Sequence, residues 1–227
     1  MQEYFSRQIK LWGEEIQNSL QDKKIAIIGC GGLGCSLGIA LGSSGIGHIT
    51  LVDFDEVGIH NIHRQIAFTT KDNGEKKSEV LKKLLKNRCD YADITALDMD
   101  FDGFVKYTQH DQIKYDLILD ATDNLPTRAS INNFSKQQNT PWIYGSVEEF
   151  HGQVCFFDKA SFEDVFQITN RIPKGIATPI VMNIASLQAN LALRYLTNLS
   201  VKKDFLYYCF FDNDGIFKTQ KFSLPTS

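Results

Sequence analysis

Long apolar runs, a polybasic stretch and closely paired cysteines are all missing from this 227-residue chain, and each absence removes a class of function. No segment approaches the ~18 consecutive apolar residues of a spanning helix. Residues 1–10 carry Glu3, Arg7 and Lys10 without an apolar stretch, so no secretory leader is expected. A net charge of -3 offers no basic surface for nucleic acid or anionic lipid. The five cysteines (Cys30, Cys35, Cys89, Cys155 and Cys209) are odd in number and scattered, which argues against a disulfide framework and for a reducing compartment, the cytoplasm. Repeats, low-complexity tracts and Pro-, Ser- or Gly-rich linkers are also lacking. The remainder, 43% hydrophobic and 22% charged, has the balance of an ordinary globular protein of one domain.

What is present is an alternation of short apolar runs with helix-like segments, which predicts an α/β fold around a mostly parallel sheet. Lys24–Ile28, His48–Val52 and Tyr115–Leu119 read as buried strands. Between the last two, Glu75–Arg88 places Val80, Leu81, Leu84 and Leu85 on one helical stripe with lysines opposite. After Pro141 the pattern changes: Trp142–Tyr144, Gly152–Phe157, Phe205–Phe211 and Ile216–Phe222 read as strands, the last two joined by the turn signal Asn213-Asp214-Gly215. The sheet is therefore expected to end in antiparallel strands. A long helix over about 177–196 carries Ile180, Ile184, Leu187 and Leu191 on one face, for core packing or a subunit interface. Residues 158–174 are the least periodic and read as a mobile loop.

The strand Lys24–Ile28 runs straight into Gly29-Cys30-Gly31-Gly32-Leu33-Gly34. Glycines there let the backbone turn tightly and approach phosphate oxygens, while the following helix turns its free N–H groups and positive dipole end toward the anion. Asp53 ends the next strand roughly 20 residues on, where a ribose-binding carboxylate is expected. These features alone describe a nucleotide site and leave an NAD-dependent oxidoreductase open. Three further blocks point to a polyphosphate: Asn61-Ile62-His63-Arg64-Gln65, Gly74-Glu75-Lys76-Lys77, and Asp120-Ala121-Thr122-Asp123-Asn124 at the carboxyl end of a strand. His60 and His63 lack the carboxylate or thiolate company of a metal pair.

Taken with Ser6-Arg7-Gln8-Ile9 and Asp53-Phe54-Asp55, these blocks occur in the order seen in the ubiquitin-activating-enzyme-like adenylyltransferases, and the chain resembles their bacterial ThiF/MoeB branch. Gly145, Gly152-Gln153-Val154 and Ser186-Leu187-Gln188-Ala189 continue the likeness over nearly the whole chain. The resemblance implies one adenylating domain over 1–227, with a Rossmann-like nucleotide-binding half at about 20–145 and a sheet extension and helix at about 146–227. It implies that ATP activates the C-terminal glycine carboxylate of a small ubiquitin-like sulfur carrier ending in Gly-Gly, giving an acyl-adenylate and pyrophosphate.

In that scheme Asp123 binds Mg²⁺, as a hard ion takes carboxylate and phosphate oxygens. Its competing assignment is the cap of a helix beginning near Pro126. Arg64 and Lys77 hold phosphates, with Lys76 the competitor of Lys77. Asp53 accepts from the ribose, and Asn61 contacts phosphate or backbone or is a turn residue. Gly29, Gly31, Gly32, Leu33, Gly34, Asp55, Gln65, Thr122 and Asn124 complete the nucleotide contacts. Arg7 implies a homodimer, because the family's equivalent arginine reaches the γ-phosphate of the partner's site; otherwise it is a surface charge on a first helix anchored by Ile9 and Trp12. Two departures matter. The two Cys-x-x-Cys pairs that hold structural zinc in many members are absent, so no zinc is expected. No cysteine lies in 158–179, which leaves adenylation as the whole task. Other readings are a catalytically idle subunit and a relative acting on transfer RNA or a short peptide, the former disfavoured by Arg64, Lys77 and Asp123.

Overall fold

Short, wholly apolar strands need cover on both faces, and that requirement sets the architecture. The computed structural model describes residues 3–167 and 174–226. In chain order they form α1 (Ser6–Trp12), α2 (Glu14–Ser19), β1 (Lys24–Ile28), α3 (Gly32–Gly42), β2 (His48–Val52), α4 (Lys77–Arg88), β3 (Asp93–Leu97), α5 (Phe101–His110), β4 (Leu117–Asp120), α6 (Leu125–Gln138), β5 (Trp142–Glu148), β6 (His151–Phe157), α7 (Phe162–Val165), α8 (Thr178–Leu196), β7 (Phe205–Phe211) and β8 (Phe217–Ser223). The strands make one sheet in the order β3-β2-β1-β4-β5-β6-β7-β8. Pairing is parallel from β3 to β5 and antiparallel from β5 to β8.

Alternation along β1 sends side chains to two cores. Ile25 and Ile27 join Leu37, Leu41, Leu81, Leu85 and Ile184 under α3, α4 and α8. Ala26 and Ile28 join Phe104, Ile131, Phe134 and Trp142 under α5 and α6. Trp142 and Phe157 stack with ring centroids 4.7 Å apart, filling the second core where the sheet turns antiparallel. No helix among the described residues is long and apolar enough to cross a membrane.

The expected mixed α/β sheet is observed, and its local differences have identifiable causes. The third predicted strand starts two residues later: the Lys24 N–H donates to the Asp116 carboxylate, and ladder pairing begins at Ile25 with Leu117. The helix expected from Glu75 starts at Lys77, because Glu75 and Lys76 are held extended against 55–57: Val57 N–H donates to Glu75, Lys77 N–H donates to Asp55, and Glu56 bridges Lys76. The last strand begins at Phe217 because Ile216 closes the turn onto Asp212.

On α8 the buried face contains Ile180 and Ile184 of the predicted stripe, with Leu191 partly buried, and is broader than that stripe. Leu187 is 37% exposed, whereas Val181, Ala185, Gln188, Ala189 and Ala192 are buried with Ile180 and Ile184. The alanines let α8 lie close to α3 and strands β5 and β6, while Leu196 is buried and Leu191 packs partly buried against the same core. Residues 158–167 are not all loop, since Phe162 of α7 is fully buried; the rest of that expected loop, 168–173, lies outside the described residues.

Candidate functional site

Strands β1, β2, β3 and β4 all end at the same edge of the sheet, and the chain reverses its direction of winding between β1 and β4. Such a switch point opens a crevice beyond the strand ends. A cleft of about 420 Å³ lies there, lined by the residues that leave β1 (Gly29–Leu33), β2 (Asp53–Asp55), β3 (Met99–Phe101) and β4 (Ala121–Asn124). His60, Asn61, Arg64, Gln65 and Lys77 also line it, together with the apolar Val147, Ile176 and Val181.

The glycine loop forms one wall. Gly29 has φ +96°, a left-handed conformation that glycine alone takes without strain, and a Cβ there would lie 2.6 Å from the carbonyl oxygen of Ala121. Gly31 precedes α3 as its N-terminal cap position, so the loop turns the helix's first N–H groups toward the cleft. Gly34 does not line the cleft; it lies behind the loop, where its lack of a side chain lets α3 close on the Gly29 carbonyl.

Asp53 is 9% exposed and braces this loop: one carboxylate oxygen accepts from Cys30 N–H at 2.6 Å and the other from Asp55 N–H at 2.8 Å. Burial pushes its carboxyl above the usual range, opposed by those two N–H donors. Any ribose contact therefore uses lone pairs left over from a structural role, which the sequence did not reveal.

The cations are sorted by position. Lys77 is 5% exposed and donates to Asp55 at 2.6 Å inside the cleft. Lys76 is outside the cleft, paired with Glu56 at 3.6 Å and Asp98 at 3.4 Å and bonded to the Phe54 carbonyl. Of the two competing lysines, Lys77 is therefore the one placed to meet a ligand. Arg64 lies next to the glycine loop, its Nη2 donating to Asn61 Oδ1 at 2.9 Å. Asn61 thus orients the arginine as well as closing a turn. Gln65 is 4% exposed, and its Oε1 is buried with no hydrogen-bond partner.

Asp123 also lines the cleft, exposed, and no hydrogen bond or ion pair engages its carboxylate among the described residues. It does not cap the following helix. Asn124 does, accepting from Thr127 N–H at 2.9 Å, so the capping alternative for Asp123 is overturned by its neighbour. Thr122 is turned inward, donating both N–H and hydroxyl to Asp120.

Arg7 is not in the cleft of its own chain. It is exposed on α1, which sits at the other end of the sheet: Gln8 donates to the Ser44 carbonyl at 2.9 Å and buried Phe5 packs on Tyr91. Trp12 anchors the helix through Gln17 at 3.0 Å, and Phe5 contributes more burial than Ile9.

Sequence reasoning missed two features. Met99–Phe101 line the cleft because they join β3 to α5 at the carboxyl edge of the sheet; their sequence signal is Asp100 ahead of Phe101 and Phe104, a helix-start pattern that the structure realises as an Asp100 cap on Gly103 N–H. Arg128 was also missed, although Asp120, a charge ending an apolar strand, demands a buried partner.

All five cysteines are free and buried. Burial raises the Cys30 thiol well above its ordinary pKa and that of Cys35 to about 12, so neither supplies a thiolate near neutrality. Alkylation of the native protein at mildly alkaline pH is expected to leave Cys30 and Cys35 unmodified while the unfolded chain reacts fully. Peptide mass mapping that finds either modified in the native state would contradict this burial. No group of three or more His, Cys, Asp or Glu side chains is placed to hold a metal ion among the described residues.

Comparison with known proteins places this geometry. Residues 5–225 match the model of the ThiF family. The Caenorhabditis briggsae protein named adenylyltransferase and sulfurtransferase MOCS3 is 30% identical over 213 residues; the match takes in 86% of this chain and 52% of that protein, so the chain spans about half its length. The Escherichia coli K12 protein named sulfur carrier protein ThiS adenylyltransferase is 32% identical over 206 residues, covering 86% of this chain and 81% of the relative. A crystal structure of E. coli MccB with MccA-N7isoASN superposes with a TM-score of 0.85 at 20% identity, over 99% of this chain and 72% of that one.

Proposed function

The chain belongs to the ThiF family, and from that premise we propose that it is an ATP-dependent adenylyltransferase acting on the C-terminal glycine carboxylate of a small sulfur carrier protein. The observation that carries this reading is that Arg64, Lys77, the glycine loop and Asp123 all line one switch-point cleft. The names of the relatives support the substrate class. The adenylating domain takes in residues 1–227 as a single unit and works in the cytoplasm, in keeping with five free, buried thiols.

The carrier carboxylate oxygen attacks the α-phosphorus; a carboxyl–phosphorus oxygen link forms, the α–β phosphoanhydride breaks, and pyrophosphate leaves with that electron pair. Proton transfer is not required, so catalysis rests on alignment and charge neutralisation. Arg64 offers a planar fork, held by Asn61, to phosphate oxygens. Lys77, already desolvated, exchanges Asp55 for phosphate. The backbone N–H groups entering α3 bind the same polyphosphate, and Asp53 accepts from the ribose while bracing the loop.

Mg²⁺ suits the donor set, since an exposed carboxylate facing a polyphosphate is the hard-oxygen environment it takes, with phosphate and water supplying its other ligands. Asp123 would hold it, and bound there the ion would neutralise phosphate charge. Zinc has no role in this scheme.

Arg7 completes the site from a second copy of the chain, which makes the active form a homodimer. Arg7→Ala and Asp123→Ala are each expected to be nearly inactive, and mixing them to restore activity to about a quarter of wild type, because a mixed dimer rebuilds one of its two sites. Steady-state rates of the subunit-exchanged mixture check this; a mixture no better than its parts would contradict the shared site. The reaction itself is tested by ATP–pyrophosphate exchange with a carrier ending in Gly-Gly. Carrier-dependent exchange is expected; tight NADH binding with no ATP binding would overturn the reading.

A further inference from the structure

Asp123 is a single exposed residue between two fixed points, and the fixation on its N-terminal side is a buried polar brace. Asp120 is the last residue of β4 and is fully buried, as is nearly all of Arg128 on α6. Arg128 Nε donates to Asp120 Oδ2 at 3.2 Å, and its Nη2 donates to the Thr122 carbonyl at 2.7 Å and the Gly145 carbonyl at 3.1 Å. The guanidinium lies 5.1 Å from the centroid of the Tyr144 ring. Asp120 Oδ1 accepts both the N–H of Thr122, at 2.9 Å, and its hydroxyl, at 2.6 Å. From α8, Gln188 Nε2 donates to the Asp120 carbonyl at 2.8 Å. Thr122 is thus held by its N–H, its hydroxyl and its carbonyl, one residue before Asp123, while Asn124 is tied to α6 one residue after it.

Stability alone is a poor reason for this arrangement. Taking a carboxylate and a guanidinium out of water is costly, and well-packed apolar side chains often serve a core as well or better. What an apolar replacement cannot do is tie the Thr122 carbonyl to two strands, at Asp120 and Gly145, in fixed directions. Arg is suited to that task because its fork is rigid and always charged, and Lys is not an equivalent.

We propose that Arg128 and Asp120 are positioning residues that act through Thr122 to hold the Asp123 carboxylate where it meets the magnesium-bound polyphosphate. This rests on the proposed reading of Asp123. The brace adds nothing to nucleotide affinity except through that carboxylate. Its bond to Gly145 ties the same loop to β5, whose Val147 also lines the cleft.

Calorimetric titration with ATP, with Mg²⁺ and with chelator, separates this role from simple stabilisation. Arg128→Lys is expected to weaken ATP binding in Mg²⁺ about tenfold while leaving binding in chelator unchanged. In an Asp123→Asn background the same substitution is expected to have no further effect, because the group it positions is gone. Asp120→Asn, which keeps an oxygen for Thr122 and the side-chain volume, is read in the same way and covers failure of Arg128→Lys to fold.

Equal weakening with and without Mg²⁺, an undiminished effect in the Asp123→Asn background, wild-type binding by both variants, or unfolding of both variants would each overturn the proposal. Wild-type protein that binds Mg²⁺–ATP yet gives no carrier-dependent exchange would sink the proposed activity while leaving this comparison readable.

Discussion

Gly34→Ala is expected to abolish useful ATP binding, lowering affinity at least about a hundredfold through loss of charge-assisted backbone hydrogen bonds to phosphate. The reason is geometric. A Cβ on Gly34 would sit 2.0 Å from the Gly29 carbonyl oxygen and 2.9 Å from its carbon, far inside any tolerated contact. Gly29 has little room to shift, because the Ala121 carbonyl oxygen lies 2.6 Å from where its own Cβ would be. The methyl group must therefore push α3 off the loop, and overpacking of this kind costs about 1–3 kcal/mol or more. Movement of α3 carries away the N–H groups that face the cleft. Calorimetry with ATP and a thermal melt check this together; near wild-type affinity would show that the loop does not depend on the close approach.

Asp123→Ala is expected to lower carrier-dependent ATP–pyrophosphate exchange by about 100- to 1,000-fold, the usual cost of deleting one electrostatic contact to a transition state, with little change in melting temperature. Both halves follow from its position. The carboxylate is exposed, faces the cleft and serves no helix cap. Asn124→Ala gives the opposite signature: loss of the Thr127 contact costs about 1 kcal/mol of stability, with a smaller effect on exchange. Asp123→Ala that melts early, or exchanges like wild type, would remove Asp123 from the chemistry.

Legibility in the sequence tracked how local each signal was. Strands β1 and β2 could be read to the residue because they are short, apolar and central, with a glycine loop or an aspartate ending each. The cleft residues of the glycine loop, 53–55, 61–65 and 122–124 were legible because they follow strand ends in runs of unusual composition, and parallel topology brings such runs to one edge. The third strand was opaque: Asp93–Leu97 contains Asp, Thr and Ala, is only partly buried at the sheet's edge, and lacks the apolar run that marked the others.

On α8 the apolar stripe was legible at Ile180, Ile184 and Leu191, whereas the share of the buried face taken by Ala185, Ala189 and Ala192 left no comparable signal. Tertiary partners left no local trace. The bond between Arg128 and Gly145, the Asp53 brace on Cys30 and the choice of Lys77 over Lys76 depend on segments brought together only by folding. The separation of Arg7 from the cleft is likewise a property of where α1 docks.

Intact mass spectrometry of a purified carrier ending in Gly-Gly, after incubation with this protein, ATP and Mg²⁺, tests the central claim most directly. The account predicts a carrier heavier by one adenylyl group, lost on treatment with hydroxylamine and absent with Asp123→Ala. A carrier of unchanged mass while ATP is bound, or ATP consumed to ADP and phosphate with no adenylyl transfer, would contradict it.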